Sequence, residues 1–108
     1  MNQDQITRAR NSVLGALVAD SATMGFHWLY SQHRIQALAP SEPEFRTPNE
    51  SDYADNVGYF AHPKKTAGEL SHYGEQSKIM LKSLVANGNR YEKHHYQEAF
   101  RDHFGYGG

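Results

Sequence analysis

"DQITRARNSVLGALVADSAT", residues 4–23, decides the fold. Within it Ile6, Ala9, Val13, Ala16, Leu17 and Asp20 recur at steps of three and four, which puts them on one face of a helix. The spacing predicts a first helix over about residues 5–23, with Asp4 as its N-cap. The opposite face, Gly15, Ala19 and Ala22, carries almost no side-chain volume and leaves room for another backbone to approach. A helix of this kind expects close neighbours.

Working outward, Gly25 interrupts the pattern, and "FHWLYSQHRIQAL" (26–38) reads as a second, shorter helix with Trp28, Leu29, Ile35 and Leu38 partly buried. Pro40 and Pro43 end it. From Pro40 to about Leu70 neither helical nor alternating periodicity emerges. Tyr53, Val57, Tyr59 and Phe60 nevertheless argue for an ordered loop that packs down. A third helix is predicted over about residues 73–87, with Ile79, Met80, Leu84 and Val85 as its apolar face and Gly88 at its C-terminal stop. Asn89 with Glu92 reads as a capping box that opens a fourth helix to about Phe104, whose apolar side is Tyr91, Tyr96, Ala99, Phe100 and Phe104. The fold class is all-α, without internal repeats.

Composition bounds what such a chain does. The 108 residues fit one small domain, and 11 Lys+Arg against 12 Asp+Glu leave a net charge of -1, which argues against nucleic acid as a partner. Only 38% of residues are hydrophobic and mean hydropathy is -0.79, low for a self-sufficient core, so part of the core is expected to lie elsewhere. The absence of cysteine excludes disulfides and thiolate metal sites. The longest apolar run, Val13 to Ala19, is too short to span a bilayer. Arg8 and Arg10 precede it as in a signal peptide, but Asp20 follows directly, so a cytoplasmic protein with no membrane partner is expected.

Several residues carry chemistry. Asp20 sits on the apolar stripe, where a carboxylate is costly unless paired, hydrogen-bonded or metal-bound; it either ties down a neighbouring segment or serves a site. Glu69-x-x-His72 and Glu92-x-x-His95 match the spacing of di-iron helical bundles, but Glu69 is expected outside its helix and the two further glutamates have no candidates. His94 and His95 point about 100° apart on a helix and read as solvated surface residues. His27 and Trp28 either stack on a ligand or pack as an aromatic beside a hydrogen-bonded histidine. In "LSHYGEQSKIMLKSL" (70–84) Tyr73, Glu75 and Gln76 fall in a first helical turn, where free N–H groups and the dipole favour an anion, and Gly74 permits close approach.

"SVLGALVADSATMGFHWLY" (12–30) resembles the opening helix of the ADP-ribosylglycohydrolase family, in particular its J1-crystallin-like branch, where the aspartate is followed by a His-Trp pair as Asp20 is here by His27 and Trp28. "GYFAHPKKTAGELSHYGEQSKIMLKSL" (58–84) is similar to that branch's second landmark, a Tyr-Gly-Asp-Gln segment opening a helix. The resemblance covers essentially the whole chain but only the N-terminal part of the family domain. Residues 1–108 are therefore expected to be a single partial domain, a fragment of an orthogonal all-α bundle.

What the resemblance implies is a Mg²⁺-assisted hydrolase acting on an N- or O-glycosidic bond of ADP-ribose, with an ADP-ribose-type small molecule or ADP-ribosylated acceptor as partner. The family's Thr/Ser-Asp-Asp metal motif aligns with Tyr73, Gly74 and Glu75, and only Glu75 keeps a carboxylate. On this reading Glu75 is the catalytic residue and metal ligand, and Asp20, His27, Tyr73 and Gln76 bind substrate. The replaced motif puts Mg²⁺ in doubt. The alternative is a catalytically degenerate, crystallin-like binding or structural protein.

Overall fold

The computed structural model describes residues 1–105, and the chain divides into two compact units, Met1–Ser71 and His72–Gly108. Among the described residues there are four α-helices: α1 (Gln3–Thr23), α2 (Gln32–Leu38), α3 (His72–Ala86) and α4 (Lys93–Phe104). A single isolated antiparallel bridge, between Leu29 and Gly58, is the only β-type pairing among them. The all-α class follows.

In the first unit α1 starts earlier than its periodicity predicts. Asn2, not Asp4, is the N-cap: its side chain accepts from the Gln5 N–H at 2.9 Å, and Gln5 Oε1 accepts from the Asn2 N–H at 2.9 Å. This reciprocal box leaves Asp4 inside the first turn, where its charge still favours the dipole. Only the last turn of α1 is covered by the rest of the unit. Ser21 is buried there, while Val13, Leu14 and Val18 are 43%, 57% and 49% exposed. On the small face Gly15 is likewise open, with nothing within 4 Å of a Cβ placed there, whereas the half-buried Ala22 meets another backbone, its carbonyl accepting from the Phe45 N–H at 2.8 Å.

Past α1 the predicted helix over 26–38 is realised only in its second half. A 3₁₀ turn at Met24–Phe26 ends in a reversal at Trp28, which takes a left-handed φ of 62°. The backbone there is spent on the later loop: the Tyr30 N–H donates to the Val57 carbonyl at 2.8 Å and the Tyr59 N–H to the Trp28 carbonyl at 3.1 Å. Long-range pairing has overridden local helix preference. Ser31 then caps α2 by accepting from the Arg34 N–H at 3.1 Å.

The loop after Pro40 packs down as expected. Asn49 caps a 3₁₀ turn at Glu50–Tyr53, and Tyr53 inserts into the core with Met24, Leu29 and Ala39. Two arginines pin it: Arg34 reaches the Ala54 carbonyl at 2.5 Å and the Asp55 carboxylate at 2.9 Å, and Arg46 meets buried Asp52 at 3.3 Å while lying over the Phe26 ring. Gly25 and Gly58 mark where backbones cross, against the Arg46 carbonyl and the Trp28 carbonyl respectively.

The second unit is a helical hairpin. α3 begins at His72 and ends at Ala86, close to prediction, and Gly88 takes the expected left-handed φ of 65°. The capping box at Asn89 and Glu92 does not form. Asn89 also adopts a left-handed φ, of 65°, and its N–H donates to the Leu84 carbonyl at 2.7 Å, so it closes α3 instead of opening α4. Glu92 is the α4 N-cap by backbone position, without a side-chain cap bond. Early α3 meets late α4 (Glu75 with His103) and late α3 meets early α4 (Ser83 with His95), so the pair is antiparallel. Ile79 and Ser83 are buried in the hairpin, whereas Val85, expected on the apolar face, is 75% exposed. Tyr91 is exposed too, its ring 6.4 Å from Tyr96 at one end of a row that continues through Phe100 and Phe104.

Candidate functional site

Asp20 and His27 belong to the first unit, and Tyr73, Glu75 and Gln76 to the second. Asp20, half-buried near the end of α1, is hydrogen-bonded as the cost of its position requires. The Ser71 backbone N–H donates to its Oδ2 at 2.8 Å, and the Ser71 hydroxyl to its Oδ1 at 2.5 Å. Ser21 next to it donates to the Gly68 carbonyl at 2.5 Å. The last turn of α1 thus grips the segment 68–71 through two adjacent side chains.

Of the two readings left open for His27 and Trp28, the first unit builds an aromatic cluster. The His27 ring lies 5.0 Å from Trp28 and meets the buried His62 ring edge-on at 4.9 Å, and Trp28 in turn lies 5.9 Å from Tyr59. Beneath it the Tyr53 hydroxyl donates to the His27 carbonyl at 2.7 Å. Burial, reinforced by the neighbouring Asp52 charge, pushes the Tyr53 phenol up to about 12.

In the second unit Tyr73, Glu75 and Gln76 share the first turn of α3, as predicted. Tyr73 is 53% exposed with its ring 4.2 Å from His72, Gly74 is buried, and Gln76 is half-buried. The Glu75 side chain is 16% exposed, and its Oε2 accepts from His103 Nε2 at 3.0 Å. Below this pair, α3 and α4 enclose a groove of about 460 Å³ lined by Lys78, Lys82, Ser83, His95 and Asp102 together with Glu75. Within it Ser83 Oγ and His95 Nδ1 are 2.7 Å apart.

The Glu-x-x-His pairs are used locally. Glu69 stands before α3 and accepts from the Thr66 N–H at 2.5 Å and the Thr66 hydroxyl at 3.0 Å; the backbone bond above all holds its carboxyl below the usual range. Glu92 is exposed, and His95 is exposed as expected while its ring also bonds Ser83. Among the described residues no group of three or more His, Cys, Asp or Glu side chains could hold a metal ion. Mg²⁺ requires near-octahedral oxygen donors. At its expected motif Tyr73 sets its ring beside His72, Gly74 brings no side chain and a Glu75 oxygen faces an imidazole, so these residues by themselves do not fit the ion.

Three contributors escape the sequence reading: Ser71, His62 and His103. Ser71 had a legible signal, since a serine immediately before a helix is a cap-type residue. His62 lies in a stretch without periodicity, and His103 reads as one more polar position on α4. No helix among the described residues is long and apolar enough to cross a membrane.

A model of the ADP-ribosylglycohydrolase family matches residues 1–107. Crystallin J1A of Tripedalia cystophora is 37% identical over 110 residues, covering 99% of this chain and 31% of that protein. Crystallin J1B of the same organism is 36% identical over 112 residues with the same coverage. The chain therefore spans under a third of the length of these relatives. No solved structure matches it significantly.

Proposed function

Because this chain belongs to the ADP-ribosylglycohydrolase family, we propose that the protein hydrolyses an N- or O-glycosidic bond of ADP-ribose, on an ADP-ribose-type small molecule or an ADP-ribosylated acceptor. Glu75 is the catalytic carboxylate of this reading, and Asp20, His27, Tyr73 and Gln76 are its ligand-side residues. One observation supports it most: Glu75 stands in the first turn of α3, largely shielded from water and oriented by His103 at 3.0 Å. A carboxylate held this way can accept the proton of an attacking water, the role that glycosidic hydrolysis asks of a general base. The N-terminal turn of α3 adds N–H groups and a positive dipole end suited to the diphosphate of such a ligand.

The second reading, a catalytically degenerate binding or structural protein, is favoured by the same motif. Tyr73 and Gly74 stand where the family pattern has oxygen ligands, and both relatives are named as crystallins. Assay of the full-length protein separates the two. Release of ADP-ribose from N- and O-linked ADP-ribosylated peptides, lost at least about a hundredfold in Glu75→Gln, supports the hydrolase. ADP-ribose binding in a calorimeter without turnover supports the second reading. Neither binding nor turnover overturns the hydrolase and leaves the second reading in its structural form.

A further inference from the structure

We propose that the His103 imidazole takes, against Glu75, the place that the family pattern gives to a divalent cation, so that the Glu75 site works without bound metal. The inference deepens the functional reading above and rests on Glu75 belonging to the ligand site.

Three independent features of the helical hairpin carry it. The first is contact: His103 Nε2 lies 3.0 Å from Glu75 Oε2, which fills one coordination direction of the carboxylate with a nitrogen donor. An N–H donor and a metal ion compete for the same lone pairs, and the donor here is delivered from the last turn of α4 by the antiparallel register of the pair. The second is the donor count. With Tyr73 half-exposed beside His72 and Gly74 lacking a side chain, the turn offers Glu75 alone as a hard anionic ligand. The third is the surrounding charge. Lys78 and Lys82, one helical turn apart on α3, line the same groove as Glu75. Their two ammonium groups balance Glu75 and Asp102, so the groove has no net negative charge to attract a dication. An imidazole that donates a hydrogen bond, and carries a positive charge when protonated, satisfies the carboxylate at a fraction of a dication's charge.

The test uses the full-length protein labelled with ¹⁵N-histidine, with Mg²⁺ and Mn²⁺ as probes. The expected result is that millimolar Mg²⁺ leaves the His103 ring resonances in place, that Mn²⁺ gives only the free-ion electron paramagnetic resonance signal, and that Glu75→Gln shifts the His103 Nε2 resonance. A variant that merely loosened the fold would move many histidine resonances together; His103→Gln, which keeps a donor at the same place, is the second variant and is expected to leave the other histidines unmoved. Mn²⁺ bound by the wild type and released in Glu75→Gln, with the His103 resonance moving on Mg²⁺ addition, overturns the proposal. Failure of the functional reading is seen separately: if ADP-ribose is neither bound nor cleaved, that reading falls, while the resonance and Mn²⁺ signals still decide the pairing.

Discussion

Asp20 and Ser71, 51 positions apart in the chain, are joined twice, through the Ser71 backbone N–H at 2.8 Å and through its hydroxyl at 2.5 Å. Ser71 is fully buried, so its donors have little recourse to water. The carboxylate that looked costly on an apolar stripe is the acceptor for a segment arriving from far along the sequence.

Asp20→Ala is expected to destabilise the protein by about 3 kcal/mol, because two charge-assisted bonds are lost and their donors stay buried. Ser71→Ala removes only the hydroxyl bond and is expected to cost about 1 kcal/mol. Urea denaturation midpoints give both values. If Asp20→Ala instead left stability unchanged, the two bonds to Ser71 would not be what holds this segment to α1.

Two glycines mark backbone crossings in the first unit. A Cβ on Gly25 overlaps the Arg46 carbonyl, and one on Gly58 overlaps the Trp28 carbonyl, with backbone and not flexible side chain in the way. Gly25→Ala and Gly58→Ala are each expected to cost about 3 kcal/mol. Gly15→Ala is the contrast: nothing lies within 4 Å and the site is mid-helix, so this chain should gain up to about 1 kcal/mol. Thermal midpoints of the three variants, ranked in the reverse order, would contradict the packing described.

Tyr53 makes stability depend on alkaline pH. Its phenol ionises near 10 in the unfolded chain and at about 12 when folded. Between those values the folded state holds the extra proton, so stability is fully present below about pH 10 and is lost as pH rises toward 12. At about 1.4 kcal/mol per pH unit the loss is on the order of 3 kcal/mol. Of the 7 tyrosines, one should ionise last in ultraviolet difference spectra, and Tyr53→Phe should remove that late step. Seven phenols titrating together would refute it.

In the helical hairpin Ser83 is buried and bonded to His95, and its carbonyl accepts from Asn87 Nδ2 at 2.7 Å. Ser83→Ala leaves the carbonyl bond intact and is expected to cost about 1 kcal/mol, whereas Ser83→Leu overpacks the helix interface and is expected to cost about 3. Denaturant midpoints of the two variants check the pair, and equal values would mean that Ser83 is not enclosed.

By itself the sequence determined what is local. The 3.6-residue period of residues 4–23 and of α3 and α4 fixed helix existence within a few residues, because helical hydrogen bonds link neighbours four positions apart. It also flagged Asp20 and put Tyr73, Glu75 and Gln76 in one turn. The family itself was legible in the motifs around Asp20 and Glu75. Tertiary structure decided the rest. The helix expected from Phe26 was halved because Trp28 and Tyr30 give their backbone bonds to residues 57 and 59, and no local pattern encodes that exchange. Asn89 fitted two roles on local chemistry, opening α4 or closing α3, and the turn geometry chose the second. Asp20 bonds Ser71 and Glu75 meets His103, each of them remote in sequence. A carboxylate's burial and hydrogen bonds belong to its neighbours in space, and those neighbours exist only once the chain has folded.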